Sequence, residues 1–226
     1  MSTIAVVGAG PGLGLSIARR FASEGFDVAL IARSRERVET LAQQLVTEGF
    51  TAAGFSADVT DRSALTDALD GAGKHFGGID VLEYSPGPKV VPGQPLEMTT
   101  AGPLDVTPEN LQPEIEYYLY GAVTAARAVL PRMRQNGTGT LLFTTGGGSI
   151  NPVAQLANIN AAAAALRNWA LNLHQALDGT GVYAAHVAIS AWIGTGEPES
   201  APETIAETYW RLHTERNDAE LHYQAL

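Results

Sequence analysis

The stretch Gly8-Ala9-Gly10-Pro11-Gly12-Leu13-Gly14 follows a mostly β-branched run, Thr3 to Val7. It precedes a segment with helical spacing, Leu15 to Ser23, which sets Ile17, Ala18 and Phe21 on one side. Strand, glycine-rich turn and helix in that order open a βαβ unit. The turn does not fit G-x-G-x-x-G, because the third glycine would fall on Leu13. It fits G-x-x-x-G-x-G, and the physical demand is similar. Gly8 lets the chain turn sharply, and Gly12 lets the backbone approach a pyrophosphate. Gly14 lets the helix pack close to the strand, with its N-terminus facing the anion. Gly10, Pro11 and Leu13 complete the expected phosphate loop.

Outward from this turn the alternation continues. Phe26 to Ala32, Thr51 to Ala57, Ile79 to Tyr84, Thr140 to Thr145 and Val182 to Ser190 read as strands. Arg33 to Glu48, Arg62 to Phe76, Leu111 to Gln135, Pro152 to Leu177 and Glu203 to Arg216 read as helices. Pro113 suits a helix's first turn better than its middle. Ala219 to Tyr223 reads as a short last strand. The pattern predicts an α/β fold: a Rossmann-type, doubly wound parallel sheet in three αβα layers, as a single domain over residues 1–226. Pro86 to Pro108 reads as one long loop, a length that usually serves function.

Composition narrows the function classes. The chain has 226 residues and a formal charge of −10. An acidic surface disfavours nucleic acid as a partner. With no cysteines, disulfides, thiolate metal sites and cysteine nucleophiles are excluded. The five histidines show no metal-ligand spacing, so no metal site is expected. His186 reads as a core histidine. The apolar runs are too short to span a bilayer, and no signal peptide is evident at Met1-Ser2-Thr3. A cytoplasmic protein without membrane partners is expected.

The end of the second strand bears on the cofactor. A site for NAD often carries Asp or Glu there. Here stands Ala32, followed by Arg33, with Arg35 and Arg37 nearby. Lacking a carboxylate to repel a 2′-phosphate and having an arginine to hold it, the site favours NADP(H) over NAD(H).

In this order the motifs resemble the short-chain dehydrogenase/reductase (SDR) superfamily. Asp58-Val59 looks like that family's adenine contact. Ser85 and Gly87 fall in the turn after strand four. Gly121 and Ala128-Val129-Leu130-Pro131-Arg132-Met133 look like its fourth helix, and Ala164-Ala165-Leu166 like its fifth. Trp192-Ile193-Gly194-Thr195 resembles the segment after strand six, with Ile193 and Thr195 toward nicotinamide. The resemblance covers about residues 3 to 195. It implies a homodimer or homotetramer paired through the fourth and fifth helices.

The family's catalytic residues are an Asn, a Ser and a Tyr-x-x-x-Lys pair. Alignment puts Tyr118, Gly146, Ile159 and Ala163 at those four positions. Residues 154 to 166 hold no Tyr and no Lys, whatever the register. Loss of a general acid costs roughly 100- to 10,000-fold in rate. Replacement candidates are the Tyr118 phenol, the amides of Asn158 and Asn160, and the hydroxyls of Thr144, Thr145 and Ser149. Tyr84 and Ser85 are expected to border the nicotinamide.

Three functions stay open. One is an NADP(H)-dependent oxidoreductase with a rebuilt proton donor, acting on an unidentified carbonyl, imine or enone. Another is an inactive NADP(H)-binding sensor or partner subunit. The third is a non-redox cyclase or isomerase using the same pocket.

Overall fold

Among the described residues seven strands lie side by side in the order β3-β2-β1-β4-β5-β6-β7, every neighbouring pair parallel. They are β1 (Thr3–Val7), β2 (Asp27–Ala32), β3 (Ala52–Ser56), β4 (Val81–Tyr84), β5 (Gly139–Gly146), β6 (Val182–Ser190) and β7 (Glu220–Gln224). The helices are α1 (Leu13–Ala22), α2 (Arg35–Thr47), α3 (Arg62–Phe76), α4 (Pro108–Ile115), α5 (Gly121–Asn136), α6 (Ala157–Ala176) and α7 (Pro202–Glu215). This computed structural model describes residues 1–87 and 99–225. Part of the long loop expected over 86–108 therefore lies outside the described residues.

Strand alternation sorts the core into two layers. Ala5, Val7, Leu82, Tyr84, Leu141 and Phe143 point to one face, where α3, α5 and α6 cover them. Ile4, Val6, Val28, Leu30, Val81 and Leu142 point to the other, under α1, α2 and α7. The expected doubly wound, three-layer sheet is the one observed. Parallel strands buried on both faces read as near-continuous apolar runs, and β1 is buried throughout.

Local chemistry fixes the helix starts. The Ser34 side chain accepts from the Arg37 amide to cap α2, and Asp61 accepts from Ala64 to cap α3. Each cap contributes about 1 kcal/mol. Two expected starts need correction. The helix expected from Leu111 begins at Pro108, because Thr107 and Asn110 form a reciprocal capping box and Pro108 takes the first position. Pro113 consequently lies inside α4 rather than in its first turn. The helix expected from Pro152 begins at Ala157, after a short 3₁₀ turn at Ala154–Leu156.

Between α4 and α5 the winding widens into a π turn, Glu116–Tyr120, for which nothing in the residue pattern gives a signal. Its cause lies in the sheet. The phenol of Tyr84, at the end of β4, donates to the Tyr117 carbonyl at 2.5 Å. A Cβ at Gly121 would lie 2.1 Å from that phenol oxygen. The widened turn and the glycine together make room for one buried tyrosine.

One buried histidine and one half-buried histidine set an acid limit on stability. His186 and His213 are both held down to about 4, chiefly by burial. Groups depressed in the fold contribute stability above their unfolded value, near 6.5, and lose it as pH falls through the folded one. The unfolding temperature should thus drop between pH 6.5 and 4. His213→Gln should make that drop shallower, as followed by thermal unfolding across the range. An unchanged slope would show that His213 is not the cause.

Candidate active site

Strand order reverses between β1 and β4, and in open parallel sheets ligands bind in the crevice at the carboxyl ends there. Gly8 lies just beyond β1, and Ser85 just beyond β4. The Gly8 and Ala9 amides both donate to the Ile31 carbonyl, which folds the turn back over β2. Gly8 has φ +93°, and a Cβ there would lie 2.6 Å from the Pro86 backbone. At Gly14 a Cβ would come within 3.1 Å of the Ala9 Cα, so α1 starts hard against the turn. Gly10 and Gly12 have nothing within 4 Å of a Cβ. Helix α1 starts with no side-chain cap and no acidic residue in its first turn. Open space above glycine backbone, at an uncapped helix N-terminus, fits a pyrophosphate.

At the end of β2, Arg33 is exposed and has no ion-pair partner among the described residues, whereas Arg35 pairs with Glu39 at 3.6 Å. A recess of about 320 Å³ beside it is lined by Ser34, Glu36, Arg37 and Thr40. Asp58 spends one oxygen on the amide and hydroxyl of Thr60, at 2.9 and 2.7 Å. The Val59 side chain is buried in the α3/α5/α6 layer. Gly87 is exposed, at the edge of the described residues.

The strand-four end departs from expectation. Tyr84 does not border the crevice: it is fully buried against the π turn. Ser85 turns its hydroxyl down to Glu83 at 2.8 Å. Glu83 is wholly buried on the α1/α7 side, and Thr144 donates to it at 3.0 Å. Thr144 also lies 2.8 Å from the Tyr209 phenol. Burial raises the Glu83 carboxyl to about 8, against the two hydroxyls that lower it. Sequence reasoning missed this residue, although one carboxylate in an apolar parallel strand was a visible anomaly.

The remaining candidates separate. Tyr118 sits in the π turn and is only 6% exposed. Burial holds its phenol well above the ordinary value. Asn158 is fully buried and clamps the backbone of residues 99–110: its oxygen accepts from Ala101, and its amide donates to Thr99 and Asn110. Asn160 donates to the Val153 carbonyl. Gly146 is exposed at the end of β5. Ile159 is half-buried and Ala163 buried on α6. Beyond β6, Trp192 and Ile193 are exposed, and the Thr195 hydroxyl donates back to the Trp192 carbonyl.

Thr145 faces α6, opposite to Thr144, and here the structure gathers a group that the sequence did not announce. The Thr145 and Ser149 hydroxyls lie 2.8 Å apart. Thr145 lies 2.9 Å from His186 Nε2. His186 Nδ1 lies 3.0 Å from Glu220, and Arg167 grips Glu220 with two bonds, at 2.5 and 2.7 Å.

A family profile described as short chain dehydrogenase matches residues 2–196. The chain belongs to the short chain dehydrogenase family. An uncharacterized oxidoreductase of Staphylococcus epidermidis is 28% identical over 177 residues, spanning 78% of this chain and 72% of the relative. A short-chain dehydrogenase from Rhodopseudomonas palustris superposes with a TM-score of 0.84 at 23% identity, over 100% of this chain and 99% of that one. L-sorbose reductase from Gluconobacter frateurii, solved with NADPH and L-sorbose, gives 0.82 at 21%, over 98% and 94%. At such identities the superpositions establish the short chain dehydrogenase fold. Among the described residues no helix is long and apolar enough to cross a membrane.

Proposed function

We propose that this short chain dehydrogenase is an NADP(H)-dependent oxidoreductase whose proton-handling groups differ from the family's Asn, Ser, Tyr and Lys. One observation carries the cofactor reading. The open glycine turn at the uncapped α1 stands beside Arg33, an exposed arginine without an ion-pair partner among the described residues. Gly10, Pro11, Gly12 and Leu13 would hold the pyrophosphate, and Arg33 the 2′-phosphate, a charge that Arg matches well. Asp58 and Val59 would flank the adenine, and Ile193 and Thr195 the nicotinamide. Bound there, the cofactor supplies hydride chemistry, and the chain's part is to orient the substrate and handle a proton. The solved relative with NADPH supports the same reading.

The substrate class proposed is a carbonyl, imine or enone, or the corresponding alcohol. Pairing of two or four copies through α5 and α6, in the cytoplasm, completes the proposal. A second reading is favoured by the residues at the family's catalytic positions. With Gly146, Ile159 and Ala163 there, and Tyr118 buried, the chain would bind NADP(H) as a sensor or partner subunit without turnover.

Titration of cofactor fluorescence tests the binding. NADPH should bind at least tenfold more tightly than NADH. Arg33→Ala should remove most of that difference, since a charged hydrogen bond is worth about 1.5–3 kcal/mol. Equal affinities in the wild type would overturn the Arg33 assignment. Turnover of NADPH against a carbonyl, imine and enone panel then separates the two readings.

A further inference from the structure

We infer that Glu83, acting through the Ser85 hydroxyl, presents a hydrogen-bond donor to the dinucleotide crevice while its carboxyl carries a proton, and withdraws that donor when the proton leaves. The inference rests on the reading of the crevice as an NADP(H) site.

Ser85 is the member that meets the crevice. It follows the last residue of β4, and its amide donates to the Val7 carbonyl at the end of β1. It thus stands across the point where strand order reverses. The glycine turn lies directly against it: a Cβ at Gly8 would come within 2.7 Å of the Ser85 carbonyl carbon. Its hydroxyl turns to the face of the sheet that α1 covers, and the uncapped start of α1 lies on that face. The residue is half-buried. Among the described residues its hydroxyl meets only Glu83, at 2.8 Å, so part of its hydrogen-bond capacity remains for a ligand.

The hydrogens along the buried chain fix its sense. The Tyr209 phenol is wholly buried and, among the described residues, meets only Thr144. Burial raises it well above its ordinary value, so it keeps its hydrogen and donates it to Thr144. Thr144 then donates its own to Glu83 Oε1, at 3.0 Å. That leaves Oε2 to face Ser85. An ionised Oε2 takes the Ser85 hydrogen and holds the hydroxyl inward. A protonated Oε2 donates to the Ser85 oxygen instead, and the Ser85 hydrogen is released toward the crevice. Each buried polar atom has a partner in both states.

Among the described residues the titratable group that faces Glu83 is the Tyr209 phenol from α7. Strands β4 and β5 offer the Ser85 and Thr144 hydroxyls, and no charged side chain of β1, β5, α1 or α7 acts on it. Burial lifts the carboxyl to about 8, so it carries its proton at neutral pH. Affinity for the dinucleotide is then full below that value and falls as pH rises through it, because an oxygen of the ligand loses its donor. Ser85 touches the ligand in this scheme, and Glu83 and Thr144 are positioning residues.

NADPH titrations of the full chain, read by cofactor fluorescence, test the switch. They run from about pH 7 to about pH 9.5, where the 2′-phosphate and Arg33 keep their charges. Circular dichroism at each step shows that the chain is folded. Wild-type affinity should fall about tenfold, the size of one hydrogen bond to a charged group, with its midpoint near 8. Glu83→Gln, whose amide donates to Ser85 at every pH, should bind equally at both ends of the range. Ser85→Ala should bind about tenfold more weakly at neutral pH and show no fall. Either variant carries the test should the other fail to fold. A flat wild-type profile, or a fall that survives in either variant, overturns the switch and leaves the cofactor reading standing. If NADPH binds at no pH, both fall.

Discussion

Glu83→Gln raises the unfolding temperature at pH 8 by about 5–10 °C and leaves it nearly unchanged at pH 5, as read by thermal unfolding at the two pH values. The carboxyl lies wholly inside the protein, and burial lifts it to about 8 from an ordinary 4.5. A group raised in the fold gives stability that is fully present below 4.5 and is lost as pH rises through 8. Each pH unit of that difference is worth roughly 1.4 kcal/mol, so the ionised form costs on the order of 4–5 kcal/mol. Glutamine is never charged. The Ser85 and Thr144 hydroxyls can each donate or accept, so they can re-pair with an amide. A net gain of roughly 2–3 kcal/mol remains after imperfect re-pairing, and each kcal/mol moves the midpoint of a chain this size by about 2–4 °C. Equal shifts at both pH values would mean that packing, not charge, governs the site. Because His186 and His213 take stability away below their ordinary 6.5, and Glu83 takes it away as pH rises toward 8, the wild type should be most stable near pH 6.5.

The second large effect separates fold from ligand in a single turn. Gly8→Ala should destabilise by about 3–5 kcal/mol. A left-handed backbone costs a non-glycine residue about 1–3 kcal/mol. The Cβ would also press on Pro86 and Ser85 backbone at 2.6–2.7 Å, which is overpacking worth a similar amount. The ends of β1 and β4 would be forced apart, and cofactor binding should go with them. Gly10→Ala makes the contrast. Its Cβ meets nothing within 4 Å, so stability should hold within about 0.5 kcal/mol. NADPH affinity should nevertheless fall about tenfold, because the methyl group occupies the ligand's space, and a tenfold loss is 1.4 kcal/mol. Unaltered NADPH affinity in Gly10→Ala would remove the pyrophosphate from this turn.

The fold was legible because its signals are local. The run into Gly8 and the apolar strands each declare themselves within a few residues. The start of α4 was misread because Leu111 opens the apolar pattern, whereas the Thr107–Asn110 box that sets the true start is polar. Of the candidate site, the sequence could propose only residues that stand close together in the chain. Gly8 to Gly14 and Arg33 follow from spacing, but the side-chain groups do not. Arg167 and Glu220 are 53 positions apart, and Thr145 and His186 are 41 apart. The parallel pairing of β5, β6 and β7, with α6 packed over it, brings them together. Tyr84 was misplaced for a related reason. Its position at the strand end suggested the crevice, but alternation sends its ring to the helix side, where Gly121 gives it room.

The π turn at Glu116–Tyr120 lets this segment carry one residue more than ordinary winding needs. A helix advances about 100° per residue. The wide turn absorbs one residue without passing that rotation on. Deleting a residue there should restore ordinary winding and leave Ala122, Ala125, Ala126 and Val129 packed on the sheet as they are now. The sequence would still read as one unbroken helix. A deletion beyond the turn, within α5 itself, would instead rotate every later residue about 100° off the sheet.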